Sequence, residues 1–288
     1  MRILEQHVVG KHPDQRLCED MVVVHGPFVA VIDGATDKSG KRITTTEGSI
    51  TSGRFAASVL ATAVESLQAG VSPAAAVRQF TTVLGAAIDE ACGPSEPHER
   101  PSASIVMLDT SAGLVWRVGD CPFRIDADTR NTPKRIDRVT SNFRAAFLAA
   151  TAGGYRDDPS CTDPGREAIL PLLRAQGNLA NVLGEFGYGV LNGTPVPPRF
   201  IEVVQLPEAA CEVVLASDGY PSLPPTLAEA EAELARLLVL DPSCVGPLRS
   251  TKGLLPGMLS FDDRSWIRIA MDPRSTETAT TQFGSCDV

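Results

Sequence analysis

Acidic side chains recur at the edges of apolar, strand-like runs in this 288-residue chain. Three runs, "VAVIDG", "WRVGD" and "VVLASDG", end on an aspartate, and two others begin directly after an acidic pair. The acidic residues concerned are Glu19, Asp20, Asp33, Asp120, Asp218, Asp262 and Asp263. Each one alone fits a turn. If the strand ends converge, however, the like charges raise one another's pKa values, and a cation removes that penalty.

The chemistry of these side chains indicates which cation would be held. Carboxylates without a supporting pattern of His or Cys favour magnesium or manganese over zinc. Gly34 and Gly219 directly follow two of the aspartates. Because glycine has no Cβ, the backbone there can approach an ion closely and offer a carbonyl oxygen.

The strands that carry these acids form hairpins in the sequence. "MVVVHGPFVAVID" and "SASIVMLDTSAGLVWRVGD" each predict two strands joined by a turn, and "RFIEVVQL", "CEVVLASD" and "SWIRIAM" predict later strands. Helical spacing predicts helices within 55–67 and 72–93, in "SNFRAAFLAAT" and "REAILPLLRAQ", and in "TLAEAEAELARLLVL". Polar segments at 34–52 and 126–130 predict loops. Without regular βαβ alternation, this order predicts an α+β fold with stacked antiparallel sheets and helices outside them.

Composition narrows the class of protein. A net charge of −9 argues against a nucleic-acid or anionic-membrane surface, and no apolar run is long enough to span a bilayer. The N-terminal segment does not resemble a secretion signal. Seven cysteines without a CxxC pair indicate reduced thiols rather than a disulfide framework. We therefore expect a cytoplasmic monomer with a single domain over 1–271 and a polar, disordered tail over 272–288.

The motifs "RLCED", "VAVIDG", "SASIVML", "VGDCPFR", "VVLASDG" and "DDRSWIRI" occur in an order that resembles the metal-dependent protein phosphatases of the 2C type, the PPM family. The resemblance covers most of the chain, with the segment 126–198 only loosely matched. It implies a four-layer α-β-β-α sandwich, in which two antiparallel sheets are flanked by helix pairs.

The resemblance also assigns metal ligands. It implies that Asp33 bridges two Mn²⁺ or Mg²⁺ ions, with the Gly34 carbonyl on one of them. Asp218 and Asp262 complete the ligands of the pair, and Asp120 binds a third, weaker ion. These assignments follow from the matching motifs.

Other positions in the motifs have different implied roles, and some depart from the family pattern. Glu19 and Asp20 are implied to hold metal-bound waters, and Arg16 to bind the phosphate, although Arg16 lies one residue nearer to the acidic pair than in eukaryotic members. Many members have a His directly after the Asp-Gly pair, where this chain has Ala35. The proton donor must therefore be another group. Cys18 stands where Asn is common.

The function that follows is metal-dependent hydrolysis of phosphomonoesters, with phosphoserine or phosphothreonine proteins as the expected substrates. Paired metal ions would activate water for in-line attack on phosphorus. Two alternatives stay open: a small phosphorylated metabolite as substrate, or a non-catalytic module that binds a phosphorylated partner. Lys38, Lys41 and Arg42 either steer such a substrate or belong to a solvated loop, and the charge pattern favours the loop.

Overall fold

The computed structural model describes residues 1–38, 40–46, 48–151 and 163–273. Nearly all of the tail that the sequence predicts to be disordered, from residue 274 onward, lies outside the described residues. Among the described residues, no helix has the length and apolar character needed to cross a membrane.

Two five-stranded antiparallel sheets form the centre of the molecule. The first has the strand order β1-β12-β11-β8-β9 and the second β10-β7-β6-β3-β2; β4 and β5 form a separate hairpin. The strands are β1 (Arg2–Val9), β2 (Asp20–His25), β3 (Phe28–Gly34), β4 (Arg42–Thr45), β5 (Gly48–Thr51), β6 (Ala103–Asp109), β7 (Leu114–Val118), β8 (Phe123–Ile125), β9 (Asp128–Arg130), β10 (Ile201–Gln205), β11 (Cys211–Ala216) and β12 (Arg264–Met271).

Of the five α-helices within the described residues, four begin where a side chain caps the first turn. The Ser72 side chain caps the second helix, and Thr226 with Glu229 forms a capping box on the fifth. The helices are α1 (Ser52–Glu65), α2 (Pro73–Cys92), α3 (Arg135–Ala150), α4 (Pro164–Ala175) and α5 (Leu227–Leu240).

Strand β3 is buried on both faces, which explains its unbroken apolar sequence. Val29 and Val31 pack between the two sheets, whereas Ala30 and Ile32 pack against α1 and α2 on the outer face of the second sheet. On the outer face of the first sheet, α5 packs over Trp266. The predicted α+β fold with two antiparallel sheets between helices is therefore confirmed.

The structure corrects two loop predictions and adds strands β1 and β8. The segment predicted as one polar loop at 34–52 contains the β4–β5 hairpin, and the segment at 126–130 contributes β9, which pairs with β8. Strands β4, β5 and β9 are short and largely polar, so they lack the apolar alternation from which strands are recognised. Strand β8 has only three residues, and β1 lies at a sheet edge with every residue at least partly exposed.

Candidate metal centre

Three carboxylates from different strand ends meet at one side of the sandwich. Asp33 is the second-last residue of β3, Asp120 follows β7, and Asp218 follows β11, so that both sheets contribute. One carboxylate oxygen from each lies within 4.8 Å of the others. Asp120 is buried, Asp33 is half-buried, and Asp218 is exposed towards a cavity. The convergence expected from the sequence is thus present for these three acids.

The glycines beside the aspartates allow other acid-bearing segments to come close. A Cβ on Gly34 would lie 2.4 Å from the Gly53 carbonyl oxygen and 2.7 Å from that of Glu19. A Cβ on Gly219 would lie 2.0 Å from the carbonyl oxygen of Asp263. Any larger residue would therefore force the acidic segments apart.

The carboxylates of this group differ in their protonation. Burial, followed by the charges of neighbouring acids, raises the pKa values of Asp33 and Asp218 well above the usual range. Asp218 is exposed to the cavity, where it faces Asp33 and Asp120. Burial also acts to raise the pKa of Asp120, yet Lys134 and Ser104 lower it overall. Their side chains contact the two oxygens of Asp120 at 2.8 and 2.7 Å.

A second group of acids lies beside the first and contains two lysines. Glu19, Asp262 and Asp263 surround the Lys11 ammonium, whose Nζ lies 3.4, 3.2 and 3.0 Å from their carboxylate oxygens. The Lys252 Nζ lies 2.7 Å from the other oxygen of Asp262. Asp262 is predicted as a ligand together with Asp33 and Asp218, but it is not in the described group of three carboxylates that lie within 4.8 Å.

These contacts also govern the charges of the second group. Burial acts to lower the pKa of Lys11, but Asp262, Asp263 and Glu19 raise it well above the usual value. Burial acts to raise the pKa of Asp262, but Lys252 and Lys11 lower it overall. Lys11 therefore keeps its positive charge and Asp262 its negative charge.

Glu19 and Asp20 have separate partners near the two groups. The Thr36 hydroxyl donates to Glu19 Oε2, whereas Glu19 Oε1 is buried and has no hydrogen-bond partner among the described residues. The Ser265 hydroxyl donates to Asp20 Oδ2 at 2.9 Å. Burial, together with Asp263, raises the pKa of Asp20 to about 8, against the hydrogen bonds that lower it.

Arg16 lies apart from these acids. Its side chain is 89% exposed and pairs with Asp14, with Nη2 at 2.7 Å from a carboxylate oxygen. It is not among the residues that line the cavity. Its role in phosphate binding therefore stays a prediction.

A cavity of about 630 Å³ opens above the three carboxylates. The walls include the start of α3, part of α4 and the loop before β12. Lys38 and Lys41, which the sequence favoured as part of a solvated loop, line the cavity, and burial with Lys252 and Arg166 lowers the pKa of Lys38 to about 8. The basic residues that line it are Lys38, Lys41, Arg100, Lys134, Arg138, Arg166, Arg174, Arg249 and Lys252.

The donor set of the first group fits a hard divalent cation. Asp33, Asp120 and Asp218 offer only oxygen, and their mutual repulsion is the cost that such a cation relieves. Gly34 lies beside them at the end of β3, and its carbonyl stays a predicted ligand. In the second group, lysine ammonium groups already neutralise part of the negative charge.

Sequence reasoning did not identify Lys11, Lys134 and Lys252 as site residues. Lys11 lies two residues after β1. If β1 had been recognised, Lys11 would have been noted as a charged residue at a strand end, like the acids. Lys134 and Lys252 have no comparable signal, because loops bring them to the site.

No protein-family model matches the chain, and no curated protein matches it. Among solved structures, an arginine-to-lysine mutant of a bacterial serine phosphatase is 12% identical, with 94% of this chain and 98% of that chain covered and a TM-score of 0.50. The Mycobacterium tuberculosis serine/threonine phosphatase PstP/Ppp is 17% identical, with 95% and 100% covered and a TM-score of 0.48. The chain therefore has the fold of a bacterial serine phosphatase over nearly its whole length.

Proposed function

We propose that this chain is a metal-dependent phosphomonoesterase that acts on phosphoserine or phosphothreonine in proteins. The observation that carries the proposal is the meeting of Asp33, Asp120 and Asp218 within 4.8 Å at the floor of a cavity with basic walls. Such carboxylates stabilise a divalent cation, and basic side chains attract a phosphoryl group even though the protein is acidic overall. The shared fold agrees with this assignment.

The residues at the site have different proposed roles. Asp33, Asp120 and Asp218 would hold Mn²⁺ or Mg²⁺, with the Gly34 carbonyl as a further predicted ligand. Asp262, which the resemblance also assigns to the ions, is paired with Lys11 and Lys252 in the structure. The chemistry that such an ion supplies when bound is Lewis-acid polarisation of water and of the phosphoryl oxygens. Lys134 lies against Asp120 at the cavity floor and can neutralise charge on a phosphoryl oxygen.

The leaving group must be protonated without the histidine that many family members have. Ala35 has no proton to give, but Lys38 lines the cavity three residues later, and its lowered pKa of about 8 suits transfer near neutral pH. We assign Lys38 this role as part of the proposal.

A small phosphorylated molecule is the second candidate substrate. The cavity volume of about 630 Å³ falls in the range of small-molecule sites, and nine basic residues line it. A purely binding module is less well supported, because it has no need for three carboxylates that repel one another. A cytoplasmic monomer is the accompanying proposal, supported by the free thiols of Cys18, Cys92, Cys121 and Cys244.

Hydrolysis of p-nitrophenyl phosphate with and without Mn²⁺ tests the function. We expect turnover that requires Mn²⁺ and is lost in Asp33→Asn. No turnover in the wild-type protein with Mn²⁺ or Mg²⁺ would favour the binding module. A panel of phosphopeptides and phosphorylated metabolites then separates the two substrate classes by kcat/KM.

A further inference from the structure

We propose that this chain binds one divalent ion, at Asp33, Asp120 and Asp218, and that Lys11 and Lys252 take the place of a second ion at Asp262. The inference rests on the proposed function, since it concerns the same metal centre. It departs from the paired ions that the sequence resemblance implies.

The surroundings of Lys11 resemble those of a bound cation. Its Nζ has four oxygen neighbours: three carboxylate oxygens at 3.0 to 3.4 Å and the Thr36 hydroxyl at 3.0 Å. The carboxylates come from the segment before β2 and the segment before β12. The side chain is only 15% exposed. Lys11 is thus a built-in positive charge that joins two acid-bearing segments.

Lys252 completes the neutralisation of Asp262. Lys11 contacts one carboxylate oxygen of Asp262 at 3.2 Å, and Lys252 contacts the other at 2.7 Å. A metal ion that used Asp262 would have to displace at least one of these ammonium groups. Displacement would leave a half-buried lysine beside a divalent ion, which is electrostatically unfavourable.

Formal charge distinguishes the two groups of acids. When a bound cation keeps them ionised, Asp33, Asp120 and Asp218 carry three negative charges, and Lys134 contacts them through Asp120. That leaves two negative charges, which one divalent ion neutralises. The second group, Glu19, Asp262 and Asp263, also carries three, but Lys11 and Lys252 leave only one. A divalent ion held by those three acids alone would leave one positive charge in excess.

Asp20 adds a negative charge near both groups whenever it is ionised. It interacts electrostatically with Asp33, Asp262 and Asp263, and the Ser265 hydroxyl donates to it without cancelling that charge. The contacts of Lys11 and Lys252 with Asp262, rather than the sum of charges, therefore favour one ion.

The test counts Mn²⁺ ions on the full-length protein by equilibrium dialysis and elemental analysis, with electron paramagnetic resonance of the bound Mn²⁺. We expect one ion per chain in the wild type, with the spectrum of isolated Mn²⁺, and none in Asp33→Asn. The double variant Lys11→Met with Lys252→Met should bind two and show the spectrum of a coupled pair. Arg236→Gln, which removes an exposed charge paired with Glu233, should still bind one.

The outcomes separate this inference from the proposed function. Two ions on the wild type would overturn the inference, and Mn²⁺-dependent hydrolysis of p-nitrophenyl phosphate would then still support the function. One ion without hydrolysis would support the inference and count against the function. No bound ion would overturn the inference, as would a double variant that folds but still binds one. If the double variant does not fold, the wild-type count alone decides.

Discussion

Two clusters of charged side chains differ in how completely their charges are paired. Arg144 has no exposed surface, and its guanidinium donates to Asp163, to the carbonyl oxygens of Ser243 and Cys244, and to that of Ser250, at 2.8 to 3.2 Å. Every guanidinium nitrogen has a partner, and the single negative charge balances the positive one. The carboxylates at Asp33, Asp120 and Asp218 instead outnumber the lysine beside them.

The difference shows how structural and functional charges can be distinguished. A matched buried ion pair with satisfied hydrogen bonds holds elements together, and Arg144 joins α3 to the start of α4 and to the loop 243–250. These elements form a wall of the cavity. An unmatched group with raised pKa values retains a cost that protonation or a bound cation relieves. One cluster therefore positions the wall, and the other is the proposed ion site.

Removal of Arg144 should have the largest effect on stability. Arg144→Met leaves the Asp163 carboxylate and three carbonyl groups buried without their partner, so we expect a loss of roughly 3–5 kcal/mol in the free energy of unfolding. Urea denaturation measures it. The control is Arg236→Met, which breaks an exposed pair and should cost less than about 1 kcal/mol. Equal losses in the two variants would show that the Arg144 cluster stabilises the fold no more than an exposed ion pair does.

Asp33→Asn should strongly reduce activity without reducing stability. The kcat/KM for p-nitrophenyl phosphate should fall at least ~100-fold, because loss of a direct ligand exceeds the effect of losing a group behind it. The metal-free variant should be no less stable than the wild type, since burial and Asp20 already disfavour the Asp33 charge. Thermal unfolding in EDTA checks the second expectation. A strongly destabilised variant would place Asp33 with Arg144 among the structural charges.

The pH dependence of stability should report on the acids near the metal centre, because Asp20 interacts with Asp33. Asp20 has a pKa of about 8 in the folded state, above its ordinary value of 3.8. Between those values the folded state binds more protons than the unfolded state, so stability is lost as the pH rises through this window. The metal-free protein should therefore have a Tm a few degrees lower at pH 8 than at pH 5, once the dependence of Asp20→Asn is subtracted. Identical profiles for the two proteins would contradict the raised pKa.

Saturating Mn²⁺ extends this pH experiment. A bound cation favours the ionised carboxylates, so the difference between the wild type and Asp20→Asn should shrink when the ion is present. Mg²⁺ serves as a second cation of the same charge. If neither ion changes the pH profile of stability, the ionisation of Asp20 is not coupled to ion binding.

The sequence predicts that Asp33, Asp120 and Asp218 lie at strand ends, but it does not predict the Arg144 cluster. Asp33, Asp120 and Asp218 end or follow recognisable strands, and neighbouring strand ends in a sheet lie on a common edge. Arg144 has no local signal, because its carbonyl partners lie about 100 residues further along the chain. Lys11 was missed because β1 was not recognised, and the lysine at 252 because a loop places it. Local patterns therefore identify the acids, and tertiary contacts decide which of them are neutralised.

Arg16 provides the smallest expected effect and the sharpest check on the sequence resemblance. In the structure, its guanidinium is exposed and pairs with Asp14, away from the cavity. Because exposed pairs contribute little, Arg16→Ala should change stability by less than about 0.5 kcal/mol and leave kcat/KM within about twofold. If Arg16 moves to bind the phosphoryl group, KM rises while stability stays the same. That result would restore the role implied by the resemblance and would leave Lys134 and Lys38 as additional cations rather than the main phosphate contacts.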